Sequence, residues 1–295
     1  MPDVVQFIHP GGEHGQDVAG HKRWNTSDHD HRRKFLCVPG EYVDAPDAPP
    51  LKDELVFWGE WEPESEVEPV PSPVAGGPRW LHRPYYVTPN SYAPAPQVVL
   101  QNTDPFVFGD SFQYTLCRQL RRHRKEGPFF PTALRDLAPG SLILFGSPKK
   151  TEGFLLDTVF VVADEGVLHD LRSWPQKLHG RISDVYEDVT MRATYAWEAD
   201  QPALRHYIGA TPQSRVGGMF SFVPALPASA GGNGFARPSI RLDGVIKPSL
   251  PMGAKRTRDL AAERVRELWE EVVAQVGSTN CVLGTHFDLP PKRDS

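Results

Sequence analysis

Leu142-Ile143-Leu144-Phe145-Gly146 and, beyond residues 147–153, Leu155-Leu156-Asp157-Thr158-Val159-Phe160-Val161-Val162 decide the fold of this chain. Both runs are short, apolar and rich in β-branched or aromatic residues, and the connection between them carries Pro148 and Gly153. That combination is expected to form a β-hairpin through a longer loop. Pro139-Gly140-Ser141 opens the first of the two strands, as happens in small mixed barrels.

Working outward, further strands are expected at 4–8, 34–38, 55–61, 97–101, 218–223 and 281–287, with a weaker one at 240–246 around Asp243-Gly244. The first of them stops at His9-Pro10-Gly11-Gly12, where proline and glycine favour a turn over further pairing. A helix is expected from Asp110 to Gly127: Asp110 and Gln113 resemble a capping box, and Phe112, Leu116 and Leu120 recur every four residues. Ile182, Val185, Tyr186 and Val189 predict a second helix. The clearest helical stripe is Leu260, Ala261, Val265, Leu268, Trp269, Val272, Val273 and Val276, with Thr257 or Asp259 as cap and Gly277 as terminator. Strands outnumber helices without alternating with them. The expected class is therefore α+β: a mixed, mostly antiparallel sheet or partly open barrel, a few flanking helices and long Pro/Gly-rich loops.

Pro and Gly make up about 19% of the 295 residues, against roughly 12% usually. One elaborate domain over 1–295 is expected, with an irregular Pro-rich connection at about 63–96 and a frayed tail at 290–295. The net charge of −5 removes any global attraction to nucleic acid or anionic lipid, so such binding must be local. Cys37, Cys117 and Cys281 fall outside CxxC spacing, which suggests neither a disulfide framework nor a thiolate zinc site. A cytoplasmic protein without a membrane span is expected, because the start lacks a signal-like apolar region and Asp157 interrupts the most apolar run. No dinucleotide, P-loop or hydrolase-elbow motif is present, so no organic cofactor is implied.

Chemistry concentrates in a few places. His9, His14, His21, His29 and His31 lie near the start, among Glu13, Asp17, Asp28 and Asp30. Imidazoles and carboxylates of this kind hold divalent metals, and His9, His14, His29 and His31 are the candidate ligands for one ion. His9-Pro10-Gly11-Gly12-Glu13-His14 lacks the spacing and helix of a metalloprotease motif. Arg32-Arg33-Lys34 is a candidate phosphate contact. Asn102-Thr103-Asp104 ends a strand, where Asn102 could meet a ligand and Asp104 serve as a general base or metal ligand, or else form an Asx-turn before Pro105. Asp110 reads as a helix cap. Asp157 is expected on the open face of its sheet or bonded to a loop, with a buried general acid as the sharper alternative. Arg237 and Lys255-Arg256-Arg258 are weaker anion ligands, and the acidic band from Glu60 to Glu68 is expected to face solvent.

These features point to an intracellular enzyme acting on a polar anionic substrate, a nucleotide or nucleic acid, by side-chain acid–base chemistry with room for one divalent metal. His9, Glu13, His14 and Asp104 are its candidate catalytic groups, and Arg32, Arg33, Lys34 and Asn102 its substrate contacts. Two alternatives stand beside it. One is a non-catalytic module binding nucleic acid or a modified base; the other is an interaction protein using the Pro-rich and acidic segments.

Overall fold

The structure is a computed structural model and describes residues 1–9, 33–63, 65–70, 73–75, 77–86, 103–122, 127–149, 153–170, 172–192, 202–231, 236–250 and 253–293. Strand β1 (Val4–Ile8) pairs parallel with β9 (Leu142–Lys149) and antiparallel with β15 (Gly253–Thr257). Strand β9 turns back into β10 (Gly153–Val161), and β14 (Ser239–Ile240) closes that side of the five-stranded sheet. The expected hairpin is therefore present. It contains a β-bulge between Leu156 and Thr158, which makes Asp157 the extra residue. A bulge re-aims a side chain that strict alternation would place elsewhere. Gly146, opposite the bulge, approaches so closely that an added Cβ would stand 2.2 Å from the Leu155 carbonyl oxygen.

A second sheet joins β2 (Lys34–Val43), β3 (Leu51–Gly59), β13 (Val223–Pro227) and β16 (Val282–Phe287). Strand β16 also pairs with β2, so these four strands form a partly closed barrel. On the edge of β2 away from β3, next to the part paired with β16, β2 also carries β5 (Trp80–Pro84), which pairs with β4 (Ser65–Pro69). The region expected to be irregular at 63–96 thus contains a paired hairpin, with Pro69 and Pro84 at strand ends, where a missing donor is tolerated. Two smaller sheets complete the strands: β11 (Val167–His169), β12 (Leu204–Ile208) and β6 (Gln113–Tyr114), and the pair β7 (Leu120–Arg122) and β8 (Phe129–Pro131).

Helices are few among the described residues: α1 (Trp174–Lys177), α2 (Asp184–Tyr186) running into a π-turn at Glu187–Met191, a 3-10 turn at Ala228–Ala230 and α3 (Ala262–Gly277). The architecture is sheet-rich α+β, and no helix among the described residues is long and apolar enough to cross a membrane. Helix α3 buries Val265, Leu268, Trp269, Val272 and Val276, each worth about 1.5–3 kcal/mol on burial. The Trp269 indole also donates to the Phe220 carbonyl at 3.0 Å. Neither Thr257 nor Asp259 caps this helix; Ala261 occupies the N-cap position without a side-chain bond. The five-stranded sheet is apolar on both faces, Val5, Phe7, Ile143 and Phe145 lying in one core cluster and Val4, Leu142 and Leu144 in the other.

Three further expectations are corrected. The helix expected from Asp110 is absent: Asp110 is exposed in a bend, and the segment forms β6, a turn and β7. Phe112 and Tyr114 are core residues without helical spacing. The strand expected at 218–223 begins only at Val223, and beyond Ile240 the chain turns. The strand expected at 97–101 lies outside the described residues. Near the C-terminus, the amide of Tyr86 donates to the carbonyl of Pro291 at 3.1 Å, and that of Arg293 donates to the carbonyl of Tyr86 at 2.9 Å, so backbone expected to fray is tied down as far as residue 293.

Candidate functional site

Strand ends bring the chemistry together. The His9 amide extends β1 by donating to the Gly146 carbonyl at 2.7 Å, which fixes the imidazole beside β9. Across the β2–β3 ladder Lys34 faces Gly59, so the next residues outward, Arg33 and Glu60, meet. The Arg33 Nη2 donates to Glu60 Oε2 at 2.6 Å, and His9 Nε2 approaches the same oxygen at 2.8 Å. From the bulge, Asp157 Oδ2 lies 3.9 Å from Arg33 Nε, while its Oδ1 accepts from Arg237 Nη1 at 2.6 Å. The Arg237 guanidinium in turn covers the Trp58 ring at 4.5 Å, a cation–π contact.

These groups are buried. His9, Arg33, Glu60 and Asp157 are each less than 5% exposed. Burial pushes the Asp157 carboxyl upward, opposed by the positive charges of Arg237 and Arg33. The Cys117 sulfur lies 3.7 Å from His9 Nε2. Burial drives its thiol well above the ordinary value, the carboxylates of Glu60 and Asp104 adding to the effect and Arg33 and Arg118 opposing it. His9 Nδ1, Arg33 Nε and Asp157 Oδ2 are buried with no hydrogen-bond partner among the described residues. Such atoms are costly in a scaffold.

Asp104 has a different task. Its Oδ1 accepts from the Thr115 amide at 2.9 Å and its Oδ2 from the amides of Leu116 and Cys117 at 2.7 and 2.6 Å. These three donors would otherwise have entered the expected helix. The carboxylate instead holds the turn that carries Cys117 and the exposed, positive-φ Arg118, and the Asp104 amide reaches Glu60 Oε1 at 3.4 Å. It is neither an Asx-turn nor an open base. Burial raises it to about 7 against the pull of those amides.

Of the candidate groups, His9, Arg33 and Asp104 meet around Glu60. Lys34, expected to contact phosphate, is 1% exposed and donates to the Pro63 carbonyl at 3.0 Å and Ser65 Oγ at 3.4 Å. Of the two positions expected for Asp157, the open face does not hold, because the bulge turns it inward and it is buried, whereas the bond to a loop does, made with Arg237. The acidic band divides: Glu60 and Glu62 are buried, whereas Glu66 and Glu68 face solvent. Glu13, His14, His29, His31, Arg32 and Asn102 lie outside the described residues, as does the metal set built on His14, His29 and His31.

Glu60 and Cys117 are the residues that sequence reasoning missed. Glu60 carried a signal, since Trp58-Gly59-Glu60-Trp61-Glu62 alternates acids with large aromatics in a way a solvated strand end does not need. All three cysteines are free. No protein-family model matches the chain, no curated protein matches its sequence, and no solved structure matches its fold.

Proposed function

We propose that the chain is an enzyme of the cytoplasm that carries out acid–base chemistry on a polar anionic substrate, with nucleotides or nucleic acid as the substrate class. The observation supporting this is the buried run His9, Glu60, Arg33, Asp157, Arg237. Each buried ion costs several kcal/mol in desolvation, and apolar residues of similar volume commonly hold such a joint as well or better. Charge clusters of this kind gather where chemistry is done. In this reading His9 and Glu60 are the proton-transferring pair, since an imidazole nitrogen and a carboxylate oxygen 2.8 Å apart are within reach for proton transfer. Arg33 fixes Glu60, and Asp157 restrains the two guanidiniums. Arg118, exposed on the turn that carries Cys117, and Arg237 draw in the anion.

The test incubates the full chain with nucleoside mono-, di- and triphosphates and short single-stranded oligonucleotides, following binding by calorimetry and conversion by chromatography. At least one compound is expected to bind with an affinity that falls with salt and to be converted. Glu60→Gln is then expected to lower turnover by about 100-fold or more, and Arg118→Ala to weaken binding. Binding without conversion would identify the non-catalytic module instead. Binding of no compound would remove the anionic substrate class.

A further inference from the structure

The donor atoms of His9, Glu60 and Cys117 all lie within 4.8 Å of one another. A relay of Cys, His and Glu would need the thiol and the carboxylate on opposite nitrogens of the ring, one as proton donor and the other as orienting partner. Here both converge on one nitrogen. His9 Nε2 is 2.8 Å from Glu60 Oε2 and 3.7 Å from Cys117 Sγ, and a single ring nitrogen cannot serve both partners in a relay. A nitrogen, an oxygen and a sulfur gathered this closely are instead an arrangement a cation selects.

We propose that His9 Nε2, Glu60 Oε2 and Cys117 Sγ form a binding site for one divalent zinc-like ion. Around a tetrahedral zinc, with bonds of about 2.0–2.3 Å, neighbouring ligand atoms stand about 3.3–3.6 Å apart. The two separations from His9 Nε2, 2.8 Å to Glu60 Oε2 and 3.7 Å to Cys117 Sγ, lie on either side of that span. A nitrogen, an oxygen and a sulfur suit zinc or cobalt better than magnesium or calcium, which prefer oxygen alone.

Part of an outer shell is in place, although His9 Nδ1 has no hydrogen-bond partner among the described residues. Arg33 bonds the carboxylate oxygen that would ligate, which is how ligating carboxylates are oriented. Asp104 grips the amides of the 115–117 turn and so sets the position of the thiol. The Cys117 thiol loses its proton to solvent as the ion binds, because only the thiolate ligates. Three protein donors leave a fourth tetrahedral position for water or substrate, the pattern of catalytic zinc.

The inference rests on the functional reading above but assigns His9 and Glu60 to ligation in place of proton transfer. Its test does not require turnover. The full chain, stripped with a chelator, is titrated with Co²⁺ and then Zn²⁺, and native protein is assayed for bound metal. The expected result is one ion per chain, with a thiolate-to-cobalt charge-transfer band and visible d–d bands of tetrahedral intensity. Cys117→Ser, which changes one atom, is expected to remove the charge-transfer band and weaken zinc binding by about 100-fold or more, and Arg33→Lys to weaken it by about 10-fold. Absence of stoichiometric binding, or an unchanged band in Cys117→Ser, would overturn the proposal. Conversion of a nucleotide by chelator-stripped protein would sink the metal while sparing the enzyme; a bound ion with no nucleotide binding would do the reverse.

Discussion

His9 and His206 are both buried imidazoles, yet they are buried in different company. His206, in β12, has Gln113 Oε1 at 3.0 Å from its Nε2 and the edge of Tyr186 at a centroid distance of 5.7 Å. Burial lowers it to about 3, and its neighbour His169 to about 4. That pair stays neutral, and although His206 Nδ1 is buried without a hydrogen-bond partner among the described residues, no carboxylate or thiol among them converges on the His206 ring as on His9. His9 instead stacks on Phe7 at 5.4 Å and faces a carboxylate, a thiol and, through Glu60, a guanidinium. Burial alone therefore does not mark a site; convergent charge on a buried ring does.

That contrast can be strained at several points. The largest effect is expected from Glu60→Ala, which leaves Arg33 buried without its carboxylate and costs about 3–5 kcal/mol of stability in denaturant titration. Asp104→Ala follows, at about 1–3 kcal/mol, because the amides of residues 115–117 lose their acceptor. It is also expected to displace Cys117 and to weaken cobalt binding, whereas His206→Phe leaves the cobalt spectrum unchanged. If both substitutions altered the spectrum alike, the two regions would not be distinct.

The pH response separates the regions by sign. His169 and His206 stay neutral in the fold below the ordinary histidine value of 6.5. The unfolded chain therefore binds more protons there, and their contribution to stability, complete above pH 6.5, is lost as pH falls toward 4 and 3. Asp104 acts oppositely. Raised from 3.8 to about 7, it holds a proton that the unfolded chain releases, so stability falls as pH rises through that window. Thermal melts of His206→Phe are expected to be flatter on the acid side, and those of Asp104→Asn flatter between pH 4 and 7. The smallest effect is expected from Arg215→Ala, whose bridge to Asp47 is solvent-exposed: about 1 kcal/mol or less.

Legibility in the sequence followed locality. The 142–161 hairpin and the helix over 262–277 were readable because their apolar periods are satisfied by their own neighbours. The false helix after Asp110 has the right period. It fails because a carboxylate at position 104 claims the amides at 115–117, a contact that no window of sequence displays. Arg33 was recognised as a functional charge, but its bond to Glu60 across the ladder was not foreseen. Asp157 was recognised as anomalous and its bond to a loop was foreseen, but the open face offered beside it fails, because a one-residue bulge reverses the outcome of alternation.

The most direct measurement of the central claim, that this cluster exists for chemistry and not for support, is the double substitution Arg33→Met with Glu60→Leu, followed by denaturant titration and cobalt binding on the same preparation. The account predicts stability within about 2 kcal/mol of the parent chain and no tetrahedral cobalt spectrum. A loss of more than about 3 kcal/mol with the cobalt spectrum intact would contradict it.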